Sequence, residues 1–279
     1  MLVRMDVILK EAQKGLYGVP APNVTDPNCI KWCMEAAREV RSPVIIDSVS
    51  RKWDIEETAD MVKYYSRKFP EVPVVLNLDH GNSFEQAALA IKYGYTSVMV
   101  DKSKLPDDEN IAILKEVVRM SHAADVSVEG EIGHVGQGHN YEKERDQGLT
   151  SVEQAVRYVK ETGVDCLAVA VGTSHGAYVG TPEIDFDRVV ALRNAVDTPL
   201  VIHGASYTGD EKLIRCAQLG CTKFNVFAEL TEDAMRNGKE FLAGEYDSRN
   251  FYELVQEMGR GYKDRLIHYM QMLGSANRW

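Results

Sequence analysis

Three histidines stand in or just after short apolar runs, in settings that suit metal ligands. His80 follows PVVLNLD, His175 lies three residues after CLAVAVG, and His203 lies within PLVIHGA. Three imidazoles with a fourth position left open form a suitable ligand set for a catalytic zinc ion. Such an ion can polarise a carbonyl group and stabilise an enediolate. The remaining histidines do not share this placement: His122, His134, His139 and His268.

Acidic residues stand beside these histidines or at the ends of other apolar runs. Asp79 immediately precedes His80, Asp101 ends SVMVD, and Glu129 and Glu131 lie in VSVEGEIG. Alternation along a strand predicts that Asp79 points to the opposite side from His80, toward a substrate. A carboxylate there could exchange a proton with a substrate hydroxyl. The alternative is that Asp79 orients a histidine ligand through a hydrogen bond.

These side chains need a scaffold that brings distant segments of the chain together. Near-continuous apolar runs, each followed by a helix-like stretch, are typical of strands buried in a parallel sheet. Eight such strands without a long linker favour a (β/α)8 TIM barrel, with its active site at the carboxyl ends of the strands. A doubly wound open sheet is the alternative. The predicted strands are Tyr17–Val24, Pro43–Val49, Pro73–Asp79, Ser97–Asp101, Val126–Gly133, Cys166–Gly172, Pro199–Ala205 and Lys223–Glu229.

Helix signals support the same architecture. Capping-box patterns occur at Ser83–Gln86, Thr150–Glu153 and Thr208–Glu211,. The region after Glu229 predicts extra C-terminal helices, among them Tyr252–Gly259 and Tyr262–Met272. Because barrels of this kind typically have about 250 residues, we expect residues 1–279 to form a single domain,.

Composition narrows the range of partners and environments. A net charge of -10 argues against nucleic acid as a partner, since phosphate binding draws on a surplus of Lys and Arg,. No apolar run approaches the length of a membrane span, and the charged N-terminal stretch is not typical of a signal peptide,. The five cysteines include no CxxC pair, which favours reduced thiols in a cytoplasmic protein,.

Long segments across nearly the whole chain resemble class II fructose-bisphosphate and tagatose-bisphosphate aldolases, which are metal-dependent. They occur in the same order as in that family. The segments are VPAPNV, SPVII, LDHGNSFEQAALAIKYGYTSVMVDKSKLPDDENIAILKEVV, VSVEGEIG, TGVDCLAVAVGTSHGAYVGTPEIDF, PLVIHGAS, KFNV and LGSANR. The resemblance implies the reversible aldol cleavage of a ketose phosphate or related ketose through a metal-stabilised enediolate. It also implies a homodimer or homotetramer.

The resemblance further implies roles for individual metal ligands. His80, His175 and His203 match the catalytic zinc ligands of the family. Asp101 and Glu131 match positions that hold a second divalent metal, or an alternative position of the zinc ion.

Other matched positions concern the substrate. Asp79 matches the aspartate that takes the proton from a substrate hydroxyl during carbon–carbon cleavage, and Asn225 matches an asparagine near the reacting hydroxyls. Gly176, Gly204 and Ser206 match a phosphate-binding loop that also uses Na⁺ or K⁺. The expected partner is therefore a small sugar or sugar phosphate.

The loop after the fifth strand departs from the family pattern GGxEDG, whose glutamate handles the enediolate proton. Here the loop contains GQGHNY, with His139 where the acid is expected. We hypothesise that His139, or else Tyr141 or Glu142, transfers this proton. The alternative is that the loop has changed register and that His139 is merely exposed.

The phosphate site also departs from the family pattern. Tyr207 replaces a glycine, and Phe227 and Ala228 replace a polar pair that contacts the phosphate. Tyrosine is expected to narrow or reshape this pocket. A milder change is Asn77, where a histidine is common. The two changes at the phosphate site predict a different C1 substituent, such as that of a non-phosphorylated or otherwise substituted ketose.

Two other functions stay open from the sequence. A metal-dependent isomerase or epimerase would use the same enediolate without breaking a carbon–carbon bond. A non-catalytic sugar-phosphate binding protein descended from an aldolase would explain the altered loop, but not the retention of Asp79 and all three histidines.

Overall fold

The computed structural model describes residues 1–49, 54–140, 148–244 and 250–279. Within these ranges eight parallel strands close into a barrel, so the predicted TIM barrel is confirmed and the open sheet is wrong. The strands of the described chain are β1 Val19–Val24, β2 Val44–Ser48, β3 Val74–Gly81, β4 Ser97–Val100, β5 Ser127–Ile132, β6 Gly136–Gln137, β7 Cys166–Val169, β8 Ser174–His175, β9 Leu200–Ile202 and β10 Cys221–Val226.

The barrel order is β1-β10-β9-β7-β5-β4-β3-β2, with β2 pairing back to β1. The short strands β6 and β8 form a separate parallel pair beyond the carboxyl ends of β5 and β7. This pair joins the loop after β5 to His175, which lies in β8.

Helices cover the outside of the barrel. In the described residues they are α1 Met5–Gly15, α2 Pro27–Glu39, α3 Ile55–Lys68, α4 Phe84–Lys92, α5 Asp107–Ala123, α6 Val152–Thr162, α7 Phe186–Ala195, α8 Asp210–Gln218, α9 Ala228–Ala243 and α10 Phe251–Met272. None of these described helices has the length and apolar character that crossing a membrane requires.

The helix α1 precedes the first strand and closes the amino end of the barrel. Its residues Met5 and Leu9 are fully buried in one apolar cluster with inward-facing strand residues such as Ile45, Val75 and Val201. Nearby, the backbone N–H of Val3 donates to the carbonyl of Val74 at the start of β3. Closure of this end leaves the carboxyl end of the barrel as the accessible face.

The C-terminal helices differ from the prediction. One continuous helix, α10, replaces the two predicted helices Tyr252–Gly259 and Tyr262–Met272. The glycines at 259 and 261 lie inside this helix, where they allow close packing. A Cβ at Gly259 would lie 2.3 Å from the Trp32 indole, and one at Gly261 would lie 2.4 Å from the Asp233 carbonyl oxygen.

The strand after α8 is shorter than predicted. It was expected to run to Glu229, but β10 ends at Val226 and α9 begins at Ala228. The change from strand to helix therefore occurs at Phe227, directly at the carboxyl rim of the barrel.

Candidate metal centre

A cavity of about 430 Å³ opens at the carboxyl ends of the barrel strands. This is the end at which TIM barrels carry their active sites. Most of the site residues predicted from the sequence line it, namely Asp79, His80, Asp101, Glu131, His175, Gly176, Gly204, Ser206 and Asn225. His203 is fully buried and is not among the described residues that line the cavity.

The three predicted histidine ligands come together at this cavity. Nitrogen atoms of His80, His175 and His203 lie within 4.8 Å of one another. The ring centroid of His80 is 4.8 Å from that of His203 and 5.3 Å from that of His175. The three residues come from the end of β3, from β8 and from the residue after β9, so the barrel brings distant segments to one point.

A buried carboxylate fixes the tautomer of His203. Its Nε2 lies 2.8 Å from Oε1 of Glu129, and both side chains are fully buried. Because Nε2–H donates to this carboxylate, the lone pair of a neutral imidazole is on Nδ1. Among the described residues Nδ1 has no hydrogen-bond partner, although Oε2 of Glu131, also without one, lies 3.6 Å away. Two buried acceptors facing each other without a proton donor fit a cation between them.

A second group of possible ligands shares His80 with the first. His80, Asp101 and Glu131 also have ligand atoms within 4.8 Å of one another. The Nδ1 atom of His80 lies 2.9 Å from Oδ2 of Asp101 and 4.0 Å from Oε2 of Glu131. Asp101 and Glu131, predicted for a second metal, therefore lie next to the histidine cluster.

The electrostatic environment differs among these histidines. Burial opposes the charge of His80, but Asp79, Asp101 and Glu131 outweigh this effect and raise its pKa to about 10. Burial and the neighbouring imidazoles lower the pKa of His175 to about 3. His175 is therefore neutral at neutral pH, as a metal ligand must be.

Asp79 and His80 both face the cavity, contrary to the predicted alternation. His80 has φ 48°, in the left-handed region, and the register between β3 and β4 shifts between Leu78 and Gly81. This irregularity interrupts the strand repeat, so consecutive side chains reach the same cavity. The prediction that Asp79 points to the opposite side was wrong. A left-handed conformation is uncommon for a residue other than glycine, and such strain is concentrated at functional sites.

Two amides hold the Asp79 carboxylate. Asn23 Nδ2 donates to Oδ2 at 2.8 Å, and Asn225 Nδ2 donates to Oδ1 at 3.2 Å. Burial disfavours the charge, but the nearby charges of His80 and Lys223, together with the hydrogen bond from Asn23, outweigh it and hold the pKa of Asp79 well below its usual range. Asp79 is thus an ionised carboxylate with a fixed orientation. The sequence reasoning missed Asn23, although the matched segment VPAPNV contains it.

A buried ion network supports the site from inside the barrel. Lys223 Nζ lies 2.9 Å from Glu129 Oε2 and 3.1 Å from Asp47 Oδ2, and all three side chains are fully buried. Burial and the neighbouring carboxylates of Asp79 and Glu129 raise the pKa of Asp47 to about 7 in spite of Lys223. Burial opposes the charge of Lys223, yet the surrounding carboxylates raise its pKa. Lys223 and Asp47 were not predicted from the sequence. The feature that could have indicated them is a charged residue within an apolar strand, Lys223 in KFNV and Asp47 in VIIDS.

Another wall of the cavity is formed by the backbone around Gly176 and Gly204. Gly204 has φ 67°, and a Cβ on it would lie 2.3 Å from the carbonyl oxygen of Ser174. Gly176 has φ 80° and open space around it. Phe227 and Ala228 also line this wall, where α9 begins, and the N–H of Phe227 donates to Ser206 Oγ at 3.1 Å.

Tyr207 does not narrow the cavity as the sequence suggested. It is not among the described residues that line the cavity, because its hydroxyl donates to Glu232 at 2.7 Å. Its backbone has φ 63°, the left-handed conformation that a glycine at this position adopts easily,.

The candidate loop residues are not brought into the centre. His139 lies in a 3₁₀ turn, Gly138–Asn140, and is exposed. It is not among the described residues that line the cavity. Tyr141 and Glu142 lie outside the described residues, so the structure leaves the role of this loop as a prediction.

Comparison with known proteins agrees with this geometry. The sequence model of the class II fructose-bisphosphate aldolases matches residues 3–278. Among solved structures, the chain is similar to the YdjI aldolase from Escherichia coli K12, with 31% identity and a TM-score of 0.89, over 100% of this chain and 99% of that one. A fructose-bisphosphate aldolase from Campylobacter jejuni has the same fold, with 20% identity and a TM-score of 0.82, over 100% of this chain and 97% of that one.

Proposed function

The chain belongs to the class II fructose-bisphosphate aldolase family and is a lyase, and on this basis we propose that it catalyses the reversible aldol cleavage of a ketose or ketose phosphate with a zinc ion. In this proposal His80, His175 and His203 hold the ion. The observation that supports it most is the buried Nδ1 of His203, which has no hydrogen-bond partner among the described residues and belongs to the three-imidazole cluster.

The donor set fits zinc by its chemistry. Neutral imidazoles are common zinc ligands, and a three-histidine set leaves a position for substrate. When bound, the ion would polarise the ketose carbonyl and stabilise the negative charge that develops during cleavage. Asp101 and Glu131 are the residues that would hold a second divalent ion, or the same ion in another position.

Asp79 is the proposed base for carbon–carbon cleavage. It is ionised and buried beside the histidine cluster, and its two amide donors fix the direction of both oxygens. In cleavage it takes the proton from the hydroxyl on the carbon beyond the bond that breaks, and the aldehyde leaves. In condensation it returns that proton to the new hydroxyl.

Asn225 is the proposed contact to the reacting hydroxyls. Its Nδ2 is used by Asp79, while its Oδ1 is buried and has no partner among the described residues. Because Asn225 lines the cavity, this oxygen can accept a hydrogen bond from a substrate hydroxyl next to the one that Asp79 deprotonates.

The wall formed by Gly176, Gly204 and Ser206 is the proposed binding site for the C1 end of the substrate. The start of α9 at Ala228 lies on the same wall, and a helix N-terminus favours an anion such as phosphate,. Phe227 and Ala228 offer no polar side chain there, which favours a smaller or uncharged C1 substituent. The proposal includes a Na⁺ or K⁺ ion at this wall, and only the resemblance to the family supports it.

His139 is the proposed donor of the proton that completes the enediolate half of the reaction, with Tyr141 and Glu142 as alternatives. Because His139 is exposed outside the cavity, this role requires its loop to move toward the substrate. Such closure is common in enzymes that exclude water from reactive intermediates.

The proposal also includes a cytoplasmic homodimer or homotetramer. Large apolar side chains are exposed on the C-terminal helices, which supports these helices as the interface. They are Met235, Leu242, Phe251 and Tyr252.

The experiment that tests this function is a coupled assay of aldehyde release over a panel of ketoses, with and without phosphate at C1. Each reaction is run before chelation, after chelation and after zinc is added back. We expect aldehyde release that depends on zinc. The ketose that is cleaved best then shows whether the C1 group of the substrate is phosphorylated. Formation of ketose epimers without aldehyde would favour an epimerase, and binding without any turnover would favour a non-catalytic protein.

A further inference from the structure

We propose that Lys102 and Lys104 bind an anionic group on the half of the substrate that leaves as the aldehyde. This inference rests on the proposed aldol cleavage and specifies its substrate class. Both residues lie in the loop after β4 and line the same cavity as the histidine cluster. Carboxylate and phosphate share the chemistry that two ammonium groups recognise.

The barrel order puts these lysines across the cavity from the β10 side of the proposed C1 wall. In the closed order, β4 lies four strands from β10, which is directly opposite in an eight-stranded barrel. Asn225, Phe227 and Ala228 follow β10 or lie within it, and Gly204 follows the neighbouring strand β9. An extended ketose that crosses the histidine cluster from this wall therefore reaches the β4 side with its far end.

The position of Asp79 also indicates that the aldehyde half of the substrate extends toward β4. It lies on β3, next to β4, and acts on the carbon beyond the bond that breaks. The aldehyde fragment consequently begins at β3. The next carbon atoms along that fragment come within reach of long side chains on the adjacent loop.

The metal centre itself anchors the lysine loop. One oxygen of Asp101 lies 2.9 Å from His80, while the other accepts from the N–H of Ser103 at 3.0 Å and from its hydroxyl at 2.7 Å. A turn then joins the N–H of Leu105 to the carbonyl of Lys102 at 2.9 Å. The backbone that carries both lysines is thus fixed relative to His80.

The two lysines differ in their own contacts. Lys102 Nζ donates to the carbonyl of Asn82 at 2.7 Å, which holds it over the end of β3. Lys104 is exposed and has no ion pair or hydrogen bond within the described part of the chain. Lys104 is therefore the ammonium group that is available to a ligand, with Lys102 adding positive charge beside it.

The acidic residues next to this loop, at its start and in the first turn of α5, do not neutralise this charge. Asp107 accepts a hydrogen bond from Gln154, and Asp108 pairs with Arg157, so both face α6. Both oxygens of Asp101 are used by His80 and Ser103. In a protein with a net charge of -10, this is a local positive edge at the mouth of an acidic cavity.

The test is the condensation reaction of the zinc-loaded enzyme with paired acceptor aldehydes and one dihydroxyacetone-type donor. One pair is glyceraldehyde 3-phosphate and glyceraldehyde, and the other is succinic semialdehyde and butanal. The measured quantity is the ratio of kcat/KM for the charged and neutral member of each pair. The two pairs show whether phosphate or carboxylate is the preferred anion.

We expect the charged acceptor to be preferred in at least one pair, and this preference to fall about ten-fold in Lys104→Gln and further in Lys102→Gln/Lys104→Gln. Lys115→Gln, an exposed lysine on α5, is the matched control and should keep the ratio of the unaltered enzyme. Added salt should lower the preference because it screens exposed charges.

Condensation of neutral aldehydes without any preference for charge would overturn this inference and leave the proposed function intact. A preference that persists in the double variant would also overturn it, since another group would then bind the anion. Failure to condense any acceptor would contradict the proposed function, and this inference with it.

Discussion

Glu129 and His203, both fully buried, are joined by a 2.8 Å hydrogen bond between Oε1 and Nε2. This bond fixes which imidazole nitrogen carries the proton, so Nδ1 is left to face the other histidines. Lys223 holds the second oxygen of Glu129 at 2.9 Å, which keeps the carboxylate in place. The orientation of His203, a proposed ligand, therefore depends on buried charges that are not among the described residues lining the cavity.

Glu129→Gln should weaken zinc binding by about 10- to 100-fold, since partners that orient a ligand have effects of this size. The amide keeps the shape of the side chain but removes the charge that favours the Nε2–H tautomer. The measurement is the zinc dissociation constant by competition with a chelator. Glu240→Gln, on the exposed face of α9, is the control. An unchanged dissociation constant in Glu129→Gln would rule out this orienting role.

Asp79→Asn should lower aldehyde release by about 10²- to 10⁴-fold, the range for loss of a general base. Zinc content should be retained, because the three imidazoles remain. Exchange of the donor ketone's proton with deuterated water should also persist, since it does not involve the hydroxyl that Asp79 deprotonates. Loss of cleavage and exchange together, at full zinc content, would contradict the assigned role.

Zinc binding should release a proton near neutral pH. The pKa of His80 in the metal-free protein is raised to about 10, so its imidazole is protonated at pH 7 and must lose that proton to bind zinc,. The apparent affinity should therefore rise about ten-fold per pH unit up to about pH 10. His175, with a pKa lowered to about 3, adds no such dependence above pH 5. Calorimetry in buffers of different ionisation enthalpy measures the number of protons released.

Replacing His139 tests the proton donor of the enediolate half-reaction. His139→Ala should slow exchange of the donor ketone's proton, while zinc content stays unchanged because His139 does not contact the cluster. Tyr141→Phe and Glu142→Gln are measured beside it to separate the alternatives. If none of the three variants slows exchange or turnover, the hypothesis that this loop supplies the proton fails.

The sequence predicted the barrel, and most of the site residues that it predicted line the cavity. Apolar runs mark buried strands, and polar residues at the ends of those strands must meet at one rim. It could not predict the conformation of His80, since strand alternation assumes regular backbone and the left-handed φ appears only in three dimensions. The network of Lys223, Asp47 and Glu129 was missed for a related reason. The ion-pair partner of a charge within an apolar run cannot be predicted from the run itself, because the partner lies on a strand from a distant segment.

Helix boundaries show a smaller error of the same kind. The sequence pattern put a capping box at Thr150, but the structure has it one residue later, with Ser151 and Gln154. The Thr150 hydroxyl instead donates to the carbonyl of Ile132 and accepts from the N–H of Ala170. A local sequence pattern cannot show which of two adjacent hydroxyl residues caps the helix when a tertiary hydrogen bond occupies one of them.

The dependence of cleavage on zinc is tested most directly by a zinc titration of the chelated enzyme, with aldehyde release and bound metal measured in the same samples. We expect activity to return in proportion to zinc and to reach its plateau when the three-histidine site is filled. A His203→Ala variant should neither retain this zinc nor regain activity. Full cleavage activity without metal, or stoichiometric zinc binding and turnover in His203→Ala, would show that the three histidines do not hold a catalytic zinc ion.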